Sequence, residues 1–335
     1  MNNSKKVWAG SAVLLAGLLI LPHFLKYHHQ DLLIFLVINV LVVSSYRLVT
    51  LSGEWSLIHA VMMGVGAYTA ALLFRNFEMA IWFTLPLAGG VSALIAALLS
   101  FPLFRMTQFY FLIGSFAAGE AIRLCWIYFI QPFGGTGGIA GTEPPMIGSI
   151  DFIDSIPYYY LALAIVSFCL FILYKIEVSR VGLTLRAVHW KAPLAESVGV
   201  DTWRYRALAF VVGSFFVGIA GGLKVHYLGT VTPNQFGVGF MVFILIWVIV
   251  GGYNKFYGPI LGVVSLTLFD ESIRSFEEYR PAIYGFVLIL SILFLPLGLE
   301  SVWVKLKAKW FGTDNDDYSS NVDSTPVEPT NADKV

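Results

Sequence analysis

Residues 179–233 read SRVGLTLRAVHWKAPLAESVGVDTWRYRALAFVVGSFFVGIAGGLKVHYLGTVTP. The first half of this stretch is polar and of mixed charge, whereas residues 207–226 form an apolar run in which Lys224 is the one charged residue. A helix needs about 20 mainly apolar residues to cross the hydrocarbon core of a bilayer. The stretch therefore predicts a water-exposed loop that leads directly into a transmembrane helix.

Apolar runs of comparable length recur through residues 1–300. The chain is 57% hydrophobic and 13% charged, whereas a soluble domain has about 25% charged residues. We predict an all-α, polytopic integral membrane protein with about ten transmembrane helices, some of them short or broken. The nine further runs are 7–25, 32–50, 55–74, 80–102, 108–129, 158–174, 239–252, 258–270 and 281–298.

The distribution of basic residues predicts the orientation. With the N-terminus in the cytoplasm, fifteen of the 21 Lys and Arg residues lie on the inner side, five lie on the outer side and Arg123 lies within a span, as the positive-inside rule requires. Both termini are then cytoplasmic. Residues 131–157 form an outer loop, 176–206 the largest inner loop, and 301–335 a polar cytoplasmic tail that is predicted to be disordered because it has too little apolar surface to bury.

Several chemistries are excluded by the motifs that are missing. No Lys is followed by Ser or Thr, so the chain has no phosphate-binding loop of the G-x-x-x-x-G-K-[ST] type. No H-E-x-x-H or G-x-S-x-G motif occurs, and the six histidines show no metal-ligand spacing. The net charge of zero disfavours nucleic acid as a partner. We therefore predict no catalytic residue, no metal site and no bound cofactor, which leaves transport, channel or scaffolding roles.

Polar residues inside the predicted spans are candidates for a translocation path. Glu120 and Arg123 lie in the fifth span, where an isolated charge costs about 2.5–3.5 kcal/mol, and their i, i+3 spacing lets them form a pair. They either hold this helix to a neighbour or line the path. Ser56 and His59 in the third span present the same choice between packing and function.

The glycines divide into two groups. Gly218 with Gly222, and Gly258 with Gly262, match the G-x-x-x-G spacing that lets helices approach closely. The pair Gly251-Gly252 and the pair Gly258-Pro259 interrupt an apolar stretch, and a broken helix in lipid must bury its free backbone groups or direct them at a cavity. The eighth and ninth runs are therefore two short spans, one broken helix, a re-entrant pair or an inner hairpin.

The motifs occur in an order that resembles the LivM-type permeases of branched-chain amino acid ABC importers. The resemblance covers residues 49–299. The matching stretches are GEWSLIHAVMMGVGAYTAAL (53–72), YFLIGSFAAGEAIRL (110–124), GGTGGI (134–139), the quoted 179–233, VGGYNKFYGPILG (250–262) and YGFVLILSILFLPLGL (284–299).

The resemblance implies a permease subunit in the inner membrane of a prokaryote that translocates branched-chain amino acids. Its partners would be a second, LivH-type permease, two ABC ATPase subunits that use ATP and Mg, and an extracytoplasmic solute-binding protein. The inner loop would dock into an ATPase. The residues that carry this expectation are Gly182, Leu185, Arg186, Ala187, Ala195, Glu196 and Gly199, and the candidates for the path or its gate are Ser56, His59, Glu120, Arg123, Gly251, Gly252, Gly258 and Pro259.

The alternative function is a stand-alone secondary transporter or channel for a small polar solute. Such a protein needs a coupling-ion site made from membrane carboxylates, and Glu120 is the one acidic residue well inside a span. Arg123 is placed to neutralise it. A membrane enzyme would need a nucleophile, base or metal constellation that the sequence does not contain. The candidate substrates are branched-chain amino acids, other amino acids, urea and amides. The permease pair is either a homodimer or a heterodimer.

Overall fold

The computed structural model describes residues 22–23, 27–106, 109–142, 144, 146–147, 150–273, 279–294 and 298–301. Within them the chain is almost entirely helical. The α-helices are α1 (Tyr27–Thr50), α2 (His59–Phe77), α3 (Ile81–Leu103), α4 (Phe109–Tyr128), α5 (Ile130–Phe133), α6 (Ser155–Val178), α7 (Arg180–Ser197), α8 (Thr202–Leu228), α9 (Val238–Gly251), α10 (Gly258–Ser272) and α11 (Arg280–Phe294).

Seven helical segments in the described part are long and apolar enough to cross a membrane. They are α1, α2, α3, α4, α6, α8 and the segment Pro233–Gly251, which joins a 3-10 turn to α9. The helices α10 and α11 are shorter, with 15 residues each. These helices confirm the all-α polytopic architecture; the predicted first span at 7–25 and residues 302–335 of the tail lie outside or largely outside the described residues.

Helix α8 lies at the centre of the bundle, where it packs against α1, α2 and α3. The most apolar 18-residue window of α8 is 72% buried and that of α1 is 78% buried. The corresponding window of α4 is only 22% buried. Helices α2 and α4 are similarly apolar, yet the corresponding window of α2 is 61% buried, so position in the bundle depends on small residues and polar contacts as well as on apolar surface.

Glycines set the spacing between α2 and α8. A Cβ atom added at Gly66 would lie 2.5 Å from the Cα of Gly218, and one added at Gly221 would lie 2.9 Å from the backbone nitrogen of Ala67. Both distances are too short for any side chain, so the two backbones touch. The close approach explains why glycine occupies position 218, and it agrees with the packing role that the G-x-x-x-G spacing predicts.

The interruption near residue 252 forms a hairpin. Helix α9 ends at Gly251, Gly252 has a φ of +96°, and α10 begins at Gly258 with Pro259 in its first turn. The two helices pack against each other, and a Cβ atom at Gly251 would overlap the carbonyl group of Gly258. Of the arrangements that the sequence left open, the structure has two short helices joined by the turn at 252–257.

The end of the bundle that the charge distribution assigns to the outside carries the short strands. Strand β1 (Ile139–Ala140) pairs antiparallel with β4 (Thr230–Val231), while β2 (Met146–Ile147) pairs with β3 (Ile150–Asp151). The first pair ties the predicted outer loop to the connection between α8 and α9. The opposite end, called the inner end below, contains the carboxyl ends of α1, α6 and α9 and the whole of α7.

Candidate functional site

A buried ion pair lies at the inner end of the bundle. Arg47, near the end of α1, has no exposed surface, and Glu177, near the end of α6, is 5% exposed. The Arg47 Nε atom donates to Glu177 Oε2 at 2.9 Å, and Nη2 donates to Oε1 at 2.6 Å. This two-point contact fixes both the distance and the relative orientation of α1 and α6.

Arg47 also holds the turn between α9 and α10. Its Nη2 atom donates to the Asn254 carbonyl oxygen at 3.0 Å, and Nη1 donates to the carbonyl oxygen of Tyr253. The turn therefore supplies backbone acceptors to a buried cation. A second carboxylate supports the same turn, because Glu300 accepts a hydrogen bond from the Lys255 nitrogen at 2.9 Å. Burial raises the pKa of Glu300.

The same carboxylate of Glu177 reaches the inner loop. Arg186 of α7 donates from Nη2 to Glu177 Oε1 at 2.7 Å. Arg186 is 44% exposed, so its side of the network is accessible from the surface. Glu177 thus joins two arginines from different helices, and the inner loop is connected through it to α1 and to the α9–α10 turn. We call Arg47, Glu177 and Arg186 the inner cluster.

Helix α7 begins at a cap and bends in its middle. Ser179 accepts a hydrogen bond from the Val181 nitrogen at 3.2 Å, which satisfies one of the free donors at the start of the helix. At Lys191 the backbone is not helical, with φ −151° and ψ 87°. This break lies two residues before Pro193, which lacks the backbone N–H that a continuous helix would need there. A second helical piece follows and runs to Ser197.

Three of the predicted docking residues are buried where α7 meets the rest of the bundle. Leu185 is fully buried, and Gly182 lies so close to the end of α6 that an added Cβ atom would come within 2.8 Å of the Glu177 Cα. In the second helical piece, Ala195 is 6% exposed. These three positions set how α7 sits on the bundle.

The other predicted docking residues face away from the core or end the loop. Ala187 and Glu196 are exposed, and Glu196 accepts a hydrogen bond from the Thr202 hydroxyl at 2.6 Å. Gly199 has a φ of +87°, and an added Cβ atom there would meet nothing within 4 Å. Gly199 therefore serves the turn into α8 through its backbone conformation and not through a close contact.

Three large apolar side chains are exposed on the second half of α7 and at the residue that follows it. Trp190 is 73% exposed, Leu194 63% and Val198 76%. They line an open groove of about 540 Å³. The groove residues are Ala187, Trp190, Lys191, Leu194, Ala195 and Val198.

Ser56 and His59 are packed within the bundle. They are 2% and 1% exposed, and His59 Nε2 lies 3.0 Å from the Ser45 hydroxyl of α1. The Ser56 nitrogen donates to the Tyr46 hydroxyl at 3.0 Å. These contacts connect α1 with the start of α2 and with the segment that precedes it.

Glu120 and Arg123 form the pair that their spacing predicts. Arg123 Nη2 donates to Glu120 Oε2 at 2.7 Å, and Nε donates to both carboxylate oxygens at 2.9 and 3.1 Å. The side chains are 19% and 18% exposed on α4, the least buried of the seven long segments. The structure does not bring this pair into the inner cluster, whereas Gly251, Gly252, Gly258 and Pro259 lie at the turn that Arg47 holds.

Sequence reasoning did not single out Arg47 or Glu177. Each stands at the end of an apolar run, where a charged residue is ordinary, and no spacing relates two residues on separate helices. A further buried carboxylate is likewise paired across distant parts of the chain: Glu54 is 2% exposed, and its Oε1 atom lies 3.4 Å from the Arg206 Nη1 atom. No signal in the sequence alone indicates these pairs, because their members lie on separate segments of the chain.

We predict that Glu177→Gln destabilises the chain by about 3–5 kcal/mol, because it leaves the Arg47 charge buried without its carboxylate. Asp201→Asn is the matched control. Asp201 pairs with Arg204 at the surface, where the side chains are 46% and 79% exposed, and asparagine also caps a helix, so its cost is at most about 1 kcal/mol. Thermal unfolding of the purified chains in detergent measures both, and equal midpoints for the two variants would refute the prediction.

Comparison with known proteins supplies the family. The family model for branched-chain amino acid transport system permease components matches residues 30–295. The permease protein LivM of the high-affinity branched-chain amino acid transport system is 29% identical in Salmonella typhimurium and 28% identical in Escherichia coli K12, over 75% of this chain and 64% of the relative in each case. The chain thus spans slightly less than two thirds of the length of these curated relatives.

A second permease of the same kind of system is also similar. The LivH protein of Salmonella typhimurium is 27% identical over 48% of this chain and 51% of its own length. No solved structure matches the chain. The matched region includes nearly all of α1, every helix from α2 to α11, the inner cluster and the turn after α9. The chain belongs to the family of branched-chain amino acid transport permeases.

Proposed function

We propose that this chain is a membrane-spanning permease subunit of an ATP-binding-cassette importer. It translocates branched-chain or related amino acids across the inner membrane of a prokaryote, and separate ATPase subunits use the ATP and Mg. The observation that carries the proposal is the apolar groove on α7, which is linked to the membrane helices through the inner cluster. Membership of the permease family supports the transport class.

The exposed face of α7 supports a docking role. Large apolar side chains grouped at a water-facing surface mark a site of protein interaction, and Trp190, Leu194 and Val198 are each more than 60% exposed there. This face lies at the inner end, where the positive-inside rule places the cytoplasm. A cytoplasmic ATPase is the partner that fits such a surface in an ABC importer. Lys191 at the edge of the groove adds a charge for a polar rim.

The inner cluster gives the docked loop a mechanical path into the membrane. When the ATPase moves α7, Arg186 transmits the displacement to Glu177 through a charge-assisted hydrogen bond of 2.7 Å. Glu177 is bonded at two points to Arg47, which is bonded in turn to the α9–α10 turn. The turn contains the glycines at which the chain changes direction. We infer that this turn is the part of the membrane domain that responds to the ATPase.

The exposed face of α4 supports a second permease as a partner. An ion pair that faced lipid would be costly, and Glu120 and Arg123 are both partly exposed on a helix that this chain leaves largely uncovered. A sister permease that covers α4 would enclose the pair at the interface, beside the translocation path. Similarity of this chain to both LivM and LivH relatives favours a partner of the LivH type with a related fold. An extracytoplasmic binding protein would deliver the substrate.

A stand-alone secondary transporter is the weaker alternative. It requires a carboxylate free to bind a coupling ion, and the Glu120 carboxylate accepts three hydrogen bonds from Arg123. An ion at this site would have to displace a charge-assisted contact. The exposed apolar groove on α7 would also have no role in a protein that works alone.

The proposal is tested by isolating the chain with its partners. The tagged chain is solubilised gently from its native membrane, co-purifying chains are identified by mass spectrometry, and the eluate is assayed for ATPase activity. We expect ATPase subunits and a sister permease. A chain that purifies alone, shows no ATPase activity and still moves solute in vesicles would establish the secondary transporter instead.

We predict that Gly199→Val abolishes most uptake while membrane insertion stays normal. The φ of +87° at this residue costs a β-branched side chain about 1–2 kcal/mol or more, so the turn between α7 and α8 would shift and the groove with it. Gly199→Asn is the matched control, since asparagine tolerates positive φ. Uptake of labelled amino acid by intact cells measures both, and full uptake by the valine variant would count against the docking role.

A further inference from the structure

Two histidines and a glutamate meet at the outer end of the bundle. His28 and His29 lie in the first turn of α1, and Glu271 lies in the last turn of α10. His28 Nε2 is 3.4 Å from Glu271 Oε1, and the two imidazole rings have centroids 5.5 Å apart. One nitrogen or oxygen atom from each of the three side chains lies within 4.8 Å of the corresponding atoms of the other two.

These groups are the ligands that zinc prefers. Zinc binds imidazole nitrogen and carboxylate oxygen at about 2.0–2.2 Å, in a nearly tetrahedral arrangement. In such an arrangement the ligand atoms are about 3.3–3.6 Å apart, by the geometry of a tetrahedron with those bond lengths. The His28 to Glu271 separation already has this value, and the ligand atom of His29 lies within 4.8 Å of the other two.

The position of the group allows an ion to enter and leave. The side chain of His28 is 49% exposed and that of Glu271 is 30% exposed. A fourth position is then open to water, as in zinc sites with three protein ligands. Nothing in the spacing of the histidines along the sequence indicates this site, because its third ligand comes from a helix near the other end of the chain.

The structure assigns to His28, His29 and Glu271 a binding site for a divalent zinc ion that clamps the outer ends of α1 and α10. The two helices pack against each other. Their inner ends are already joined, since Arg47 of α1 donates to the turn that leads into α10. A bound ion would fix the pair at its second end and so restrict how α10 moves relative to α1. The assignment is independent of the proposed function.

The site is tested on the purified full chain in detergent, with an affinity tag that contains no histidine. The protein is stripped with a chelator and dialysed against zinc chloride, and bound zinc is measured by mass spectrometry and by competition with a chromophoric chelator. We expect one zinc ion per wild-type chain. Glu271→Gln and His29→Ala should each weaken binding at least about tenfold, which corresponds to 1.4 kcal/mol.

The controls are Asp270→Asn, next to Glu271 in sequence, and His23→Ala, which lies outside the group. Both should bind zinc as the wild type does. Cobalt provides a second readout that needs no variant, because a site with nitrogen and oxygen ligands in tetrahedral geometry gives visible absorption that zinc then removes. Absence of bound zinc and of this absorption, or equal loss of zinc in the controls and in the ligand variants, would overturn the assignment.

Discussion

A buried guanidinium group must be paired, because transfer of an ion from water to the protein interior costs several kcal/mol. Arg47 has no exposed surface, and its charge is met by the Glu177 carboxylate and by two backbone carbonyl groups of the turn after α9. None of these partners is local in sequence. The requirement therefore fixes three separate parts of the chain relative to one another at the inner end of the bundle.

A fourth part of the chain, helix α7, contacts the same carboxylate, and this contact is the one that bears on function. Arg186 binds the same carboxylate from the half-exposed side, and it belongs to the helix that carries the apolar groove. Glu177 thus contacts Arg47, a buried residue in the core of the bundle, and Arg186, an accessible residue of the loop that is proposed to dock an ATPase. Close backbone approach at Gly66 and Gly221 sets the spacing of α2 and α8 but gives no connection to the loop.

The sequence predicts those features that depend on local spacing or on the thickness of the membrane. Runs of about 20 apolar residues indicated the helices because a span has a fixed length, and the Glu120–Arg123 contact followed from i, i+3 geometry on one helix. The inner cluster could not be predicted, since Arg47 and Glu177 meet only through the packing of α1 against α6. The hairpin at 252–257 was one of several open arrangements, because two glycines permit a turn without specifying its direction.

In the proposed importer, the inner cluster couples ATP hydrolysis to movement of substrate. The most direct test compares Arg186→Met with Arg180→Met in the complex isolated from membranes, reconstituted in vesicles, by measuring amino acid taken up per ATP hydrolysed. Arg180 is exposed on the same helix and forms no ion pair with any residue that the structure describes. We expect that Arg186→Met keeps ATP hydrolysis but takes up far less substrate per ATP, while Arg180→Met behaves as the wild type. An unchanged ratio in Arg186→Met would contradict this coupling.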